Sequence, residues 1–168
     1  KTVEIAATIR KEFDREVHVF AAAYSEGDVR ALVQWADEID FNSLAQWKRF
    51  RPLVESSGRT IRCGLRINPE CSTQDHAMYD PCAPYSRLGI RCVDFEGESL
   101  DGISGLHFHT LCEQNADALQ VTLAAVEERF GAWMDGLDWF NFGGGITLRG
   151  RTMMWICCAG WCRIFSSV

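Results

Sequence analysis

The chain has no run approaching the roughly 18 to 20 uninterrupted apolar residues that a membrane-spanning helix needs. Its opening, KTVEIAATIRKEF, carries no apolar block of the secretion-signal kind, so a cytoplasmic location is the expectation. A Lys/Arg-rich patch is lacking too. The 17 basic side chains stand against 23 acidic ones, and the resulting net charge of −6 repels phosphate backbones and argues against nucleic acid as a partner. A cationic small molecule suits this balance better. Zinc-type Cys-x-x-Cys spacing is absent: eight cysteines fall singly at 63, 71, 82, 92 and 112, then together at 157, 158 and 162. Reduced thiols packed as small apolar residues are expected, with no metal. What is present, 47% hydrophobic and 24% charged residues over 168 positions, is the composition of a globular domain.

Apolar spacing from Val3 through Ile5, Ile9 and Phe13 is helical, and Val17–Phe20 reads as a short buried strand. Ser25 is a candidate N-cap for a second helix to about Ala36, because its hydroxyl can accept a free N–H of the first turn. Ile39–Phe41 forms the next strand, a helix from about Ser43 to Val54 follows, and Ile61–Ile67 is a third strand. From Asn68 to about Ser99 no period is visible and three prolines accumulate, which predicts a long functional excursion. A strand over Ile103–His109, a helix over Ala116–Met134 and a strand over Leu137–Phe142 complete the pattern. This β/α alternation predicts parallel strands covered by helices, as an open doubly wound sheet or a barrel. Either places the chemistry at the C-terminal strand ends, where Asn42, Arg66 to Asn68, His109 and Gly143-Gly144-Gly145 fall.

His107 and His109 alternate with Leu106 and Phe108, so a strand turns both imidazoles to one face. They are interior hydrogen-bonded histidines, zinc ligands, or, for one of them, a surface for a flat cofactor ring. The three glycines leave successive N–H groups unobstructed. Such a turn after a strand is either a flexible connection or a phosphate cradle. Arg87, in the run Ser86-Arg87-Leu88-Gly89, is an exposed loop cation or a bidentate anion contact. Arg66 ends a buried strand, where an unpaired charge is costly, and it needs an anionic partner.

The runs FNSLAQWKRF, CGLRINPE, YDPCAPYSRLGI, GLHFHTLCE and WFNFGGG, in this order, resemble the carboxynorspermidine/carboxyspermidine decarboxylases, pyridoxal-phosphate enzymes of the alanine racemase and ornithine decarboxylase fold group. The resemblance runs from about Glu16 to Gly145. It implies an α/β fold, an incomplete (β/α)8 TIM-type barrel over residues 1–145 whose first strand and C-terminal β domain are absent. The parent would be a homodimer that removes a carboxylate from a polyamine-like substrate to give norspermidine or spermidine. By the same resemblance His109 stacks on pyridoxal 5'-phosphate, Gly143, Gly144 and Gly145 hold its phosphate, and Arg66, Ser86 and Arg87 line the pocket. Glu113 is a candidate for contact with the substrate or for support behind it. Diaminopimelate or ornithine decarboxylase is the rival within the fold group, and a Cys/His metal-binding module the rival outside it.

The resemblance also implies a cofactor-binding lysine upstream of this sequence, since neither Lys1, Lys11 nor Lys48 lies in a matching motif. Composition changes abruptly after Gly145. All 23 acidic residues precede position 146, and residues 146–168 contain three Arg, three Cys and two Trp but no Asp, Glu or Lys. With suitable codons the same nucleotides encode, in another frame, an acidic stretch like the family's continuation, so a frameshifted tail and an inactive fragment are expected.

Overall fold

The computed structural model describes residues 2–13 and 15–144. Helix α1 (Thr2–Phe13) leads to strand β1 (His18–Phe20), helix α2 (Glu26–Leu32) and strand β2 (Glu38–Phe41). Helix α3 (Leu44–Glu55), strand β3 (Arg62–Asn68), the two-residue strand β4 (Ile90–Arg91), β5 (Gly105–His107), α4 (Ala116–Met134) and β6 (Trp139–Asn141) follow. All pairings are parallel in the order β1-β2-β3-β5-β6, and β4 joins β3 beyond β5, at Ile67 and Asn68. The result is a parallel sheet of half-barrel type with helices on one side. Among the described residues no helix is long and apolar enough to cross a membrane.

Strand alternation divides the sheet into an apolar and a polar face. Val19, Ile39 and Cys63 share one row of the register, and Phe41, Leu65, Leu106 and Phe140 share another. These rows pack under the helices. Val29 and Leu32 of α2, Trp47 and Phe50 of α3, and Val126 and Phe130 of α4 are all buried against them. Phe41 lies 5.5 Å from Trp47 and 6.4 Å from Phe50, centroid to centroid. Each such aromatic or aliphatic side chain contributes about 1.5–3 kcal/mol by leaving water, so this layer fixes the sheet on which the polar face is displayed.

Local signals set the helix starts. Ser25 accepts from the Asp28 N–H while the Asp28 carboxylate accepts from the Ser25 N–H, a reciprocal capping box. Ser43 caps α3 by accepting from the Gln46 N–H. Helix α2 ends at Leu32, short of Ala36. There Gln34 and Trp35 donate to the carbonyls of Ala31 and Leu32, so the chain tightens into i→i−3 turns before β2. The expected excursion is present but not structureless: it contains 3-10 turns at Ala77–Tyr79 and Cys92–Asp94 as well as β4, too short for any period to reveal. Strand β5 is three residues long where seven are expected, because the backbone past His107 turns to serve the strand-end site.

At the N-terminal edge of the polar face, His18, Glu38 and Arg62 stand side by side on three strands. His18 Nδ1 lies 2.9 Å from Glu38 Oε1, and Arg62 Nε donates to Glu38 Oε2 at 3.2 Å. Glu38 is almost fully buried, which only such partners make tolerable.

Candidate functional site at the carboxyl ends of the strands

The floor of the site is one register row, Phe20, Asp40, Gly64, Gly105 and Trp139. Two adjacent glycines let the Trp139 indole lie across β5 and β3. A Cβ on Gly105 would sit 2.1 Å from the indole, and one on Gly64 would sit 2.4 Å from it and 2.2 Å from Asp40 Oδ1. The indole N–H donates to Ser104 Oγ at 3.2 Å.

Two residues further along each strand come Asn42, Arg66, His107 and Asn141, the last three in register. Arg66 is 5% exposed, donates from Nη2 to the His109 carbonyl at 3.2 Å, and places its guanidinium 4.7 Å from the Phe20 ring centroid. No carboxylate pairs with it among the described residues, and burial lowers its proton affinity. One carbonyl and one aromatic face under-compensate a buried guanidinium, so the strand end is ready for an anion. His107 is buried and stands edge-on to Phe20, 5.1 Å between centroids at 85°. Its Nδ1 lies 3.1 Å from Asp40 Oδ2.

His109 and the glycine turn meet. The Gly144 N–H donates to His109 Nδ1 at 3.0 Å, and the Gly143 N–H donates to Asn141 Oδ1 at 2.9 Å. Gly143 has φ +71°, and a Cβ there would fall 2.6 Å from the Phe108 carbonyl oxygen and 2.7 Å from His109 Nδ1. Only glycine allows that approach. Gly144 faces open space, with nothing within 4 Å of a Cβ position. Because His109 Nδ1 accepts a backbone N–H it carries no proton, and partial burial, then Arg66 and His107, hold the imidazole below its ordinary pKa. The two histidines thus differ: His107 is buried at a carboxylate, while His109 is exposed, neutral and clasped by the turn.

The excursion returns to the same end of the sheet through Asn42. Its amide donates to the Arg87 carbonyl at 2.7 Å and accepts from the Gly89 N–H at 2.9 Å. Ser86 Oγ accepts from the Leu88 N–H, and the exposed Arg87 guanidinium has no ion-pair or hydrogen-bond partner among the described residues. Among the described residues neither side chain forms a hydrogen bond or ion pair with His109, Gly143 or Gly144. Glu113 is exposed at φ +53°, and Glu70 and Tyr85 share the left-handed region at +49° and +68°. Three non-glycine residues in that conformation, all on strand-end loops, mark where the chain holds local strain. Gly145 and residues 146–168, with their expected frameshift, lie outside the described residues. Asp40 has a signal in sequence: Glu38-Ile39-Asp40-Phe41-Asn42 alternates polar and apolar, announcing a polar inner face.

The described residues thus form a parallel α/β sheet that carries a neutral imidazole, a glycine turn and an under-compensated guanidinium at its carboxyl ends, the end where open α/β sheets place their sites. No protein-family model matches the chain. It is 43% identical over 147 residues to the carboxynorspermidine/carboxyspermidine decarboxylase of Campylobacter jejuni, a match covering 86% of this chain and 37% of that protein. It is 41% identical over 135 residues to the carboxyaminopropylagmatine decarboxylase of Synechocystis, covering 80% of this chain and 34% of that one. The crystal structure of Campylobacter jejuni carboxynorspermidine decarboxylase complexed with norspermidine superposes with a TM-score of 0.73 at 40% identity, covering 84% of this chain and 35% of that one. Sequence and fold together make the chain a homologue of the carboxynorspermidine/carboxyspermidine decarboxylases over these residues, and it spans little more than a third of their length.

Proposed function

We propose that this chain is the cofactor-seating part of a pyridoxal 5'-phosphate-dependent decarboxylase of polyamine biosynthesis, built on an incomplete (β/α)8 barrel. The parent converts carboxynorspermidine or carboxyspermidine to norspermidine or spermidine in the cytoplasm, as a homodimer. The relatives named for this reaction, and the neighbour crystallised with norspermidine, support the substrate class. The observation that carries the cofactor reading is the His109–Gly144 hydrogen bond with Gly143 packed beneath it: a flat neutral ring and exposed N–H donors in one place.

The residues fit this group. His109 would hold the ring, the N–H groups of Gly143 and Gly144, with Gly145, would hold the phosphate, and Arg66 would balance negative charge. Those two N–H groups are engaged by Asn141 and His109 at an exposed turn, so a phosphate exchanges for weak neutral acceptors. When bound, the cofactor supplies the electron sink that takes up the pair released as carbon dioxide leaves. The chain's part is to orient the scissile bond and exclude water. Ser86 and Arg87, on the loop that Asn42 clamps, and Glu113 beyond β5 form the substrate-facing rim. The exposed Glu113 carboxylate suits an ammonium group of a triamine.

The described lysines, Lys11 and Lys48, lie on helices α1 and α3, and Lys48 pairs with Glu98 at 2.5 Å. Purified chain mixed with pyridoxal phosphate is therefore expected to bind it reversibly, quenching tryptophan emission, with no lysine adduct after borohydride reduction and no carbon dioxide release from carboxynorspermidine. Absence of saturable binding, or a specific lysine adduct with turnover, would overturn the proposal.

A further inference from the structure

Gln74 has no part in the site described above, yet its side chain reaches the backbone beside it. Residues 71–74 lie in neither helix nor strand, near the start of the excursion. From there Gln74 Nε2 donates to the Thr110 carbonyl and to Gln114 Oε1, each at 2.8 Å, across 36 and 40 residues of chain. Gln114 Oε1 also accepts from Thr73 Oγ1 at 3.0 Å, and Gln114 Nε2 donates to the Thr73 carbonyl at 2.5 Å. This pattern fixes the orientation of both carboxamides. The Thr73 carbonyl requires the NH2 end of Gln114, which turns Gln114 Oε1 toward Gln74, and two acceptors facing Gln74 require its NH2 in turn.

Beyond β5, three successive residues each give one backbone group to a different segment. The Phe108 N–H donates to the Asn141 carbonyl of β6, the His109 carbonyl accepts from Arg66 of β3, and the Thr110 carbonyl accepts from Gln74. The first two holds come from the sheet and the third from outside it. Thr110 is 2% exposed, with its hydroxyl 3.5 Å from that of Thr122 on α4, so a carbonyl released by Gln74 has little water to turn to and the backbone must shift to find a donor. We propose that Gln74 is a positioning residue for His109: by holding the Thr110 carbonyl it sets the angle at which the imidazole meets the Gly144 N–H. Through Gln114 the same side chain holds the far end of the loop, where Glu113 stands at φ +53°. Leu111, Cys112 and Glu113 are strung between two points that one carboxamide fixes. A displacement of residues 71–74 is therefore felt at both His109 and Glu113, and the excursion belongs to the support of the site.

This inference deepens the cofactor reading and rests on it for what His109 is positioned to hold. Its test uses the ligand-free chain, so failure to bind pyridoxal phosphate and failure of the positioning are separate results. The chain has four histidines, and 1H–15N NMR of their rings, assigned by single His→Gln variants, is read together with the Gly144 and Glu113 amides. Gln74→Met keeps the length of the side chain and removes both donors. It is expected to shift the His109 Nδ1, Gly144 and Glu113 resonances together, with the Gly144 amide proton moving upfield as its hydrogen bond lengthens. Gln114→Met leaves the Thr110 carbonyl its donor, and is expected to shift Glu113 while His109 and Gly144 stay in place. A merely structural Gln74 would lower the urea midpoint without moving the His109 and Gly144 signals. A folded Gln74→Met with those two signals unmoved would overturn the proposal, and so would a Gln114→Met that moves them as far. If Gln74→Met fails to fold, native-state hydrogen exchange of the unsubstituted chain decides. The Gln74 carboxamide and the Gly144 amide are expected to open together, and a Gln74 carboxamide exchanging freely beside a protected Gly144 overturns the assignment.

Discussion

Gly143→Ala tests the site where its geometry is tightest. The substituted residue must keep φ near +71°, which costs an alanine about 1–2 kcal/mol. Its Cβ would meet the Phe108 carbonyl oxygen at 2.6 Å and His109 Nδ1 at 2.7 Å, both inside the distance that real Cβ atoms tolerate. The carbonyl belongs to backbone whose own N–H donates to Asn141 across the sheet, so it cannot retreat. The turn must move instead, releasing the Gly144–His109 hydrogen bond. If the ligand needs the turn in its present shape, the about 1–2 kcal/mol of backbone strain appears in binding as about a 5- to 30-fold weaker Kd for pyridoxal phosphate. Tryptophan quenching and equilibrium dialysis measure this. Gly144→Ala is the control, since nothing lies within 4 Å of its Cβ and its φ is outside the left-handed region. It is expected to bind within about threefold of the unsubstituted chain. Equal affinity in Gly143→Ala, with an unmoved His109 resonance, would refute the reasoning.

Gly105→Ala drives a methyl to 2.1 Å from the Trp139 indole and is expected to lower urea stability by about 1–3 kcal/mol; in a double-mutant cycle Trp139→Leu should recover most of it. Asn42→Ala releases both hydrogen bonds to residues 87 and 89, a loss of about 1–3 kcal/mol, and hydrogen exchange should show the Gly89 amide opening first. His18 has its pKa raised by the Glu38 carboxylate 2.9 Å away, against the opposing effect of burial. Its contribution is therefore complete below its ordinary pKa of about 6.5 and disappears as pH rises through the folded value, so urea midpoints should fall across that window and His18→Gln should flatten the fall. Burial pushes the Cys63 thiol up to about 12, so it should resist iodoacetamide in the native protein while the exposed Cys112 reacts.

Long elements with a full hydrophobic period were legible in the sequence: α4 runs over Ala116–Met134 as its spacing predicts, and α1 and α3 agree within a residue or two. Shorter elements depend on partners that periodicity does not contain. Strand β4 exists only because Ile90 and Arg91 pair with the end of β3, and β5 stops early because His109 turns toward Gly144. The site divides the same way. His109, Arg66 and the glycine turn were marked by their position at strand ends, and the fold brings His109 against Gly143 and Gly144. The Asn42 clamp reaches 45 and 47 residues along the chain, a separation that no local pattern encodes. Ser86 and Arg87 sit on the loop that Asn42 holds, and Glu113 on the loop that follows β5.

The paired glycines under Trp139 also furnish the protein with an optical gauge. Asp40 Oδ1 and the rim of the indole approach one common point, 2.2 and 2.4 Å from where a Gly64 methyl would begin. Excited indoles surrender an electron more readily to a neutral carboxyl group than to a carboxylate. The brightness of this one chromophore therefore follows the ionisation of Asp40, and the difference in emission between the unsubstituted chain and Asp40→Asn across an acid titration isolates it from the other five tryptophans.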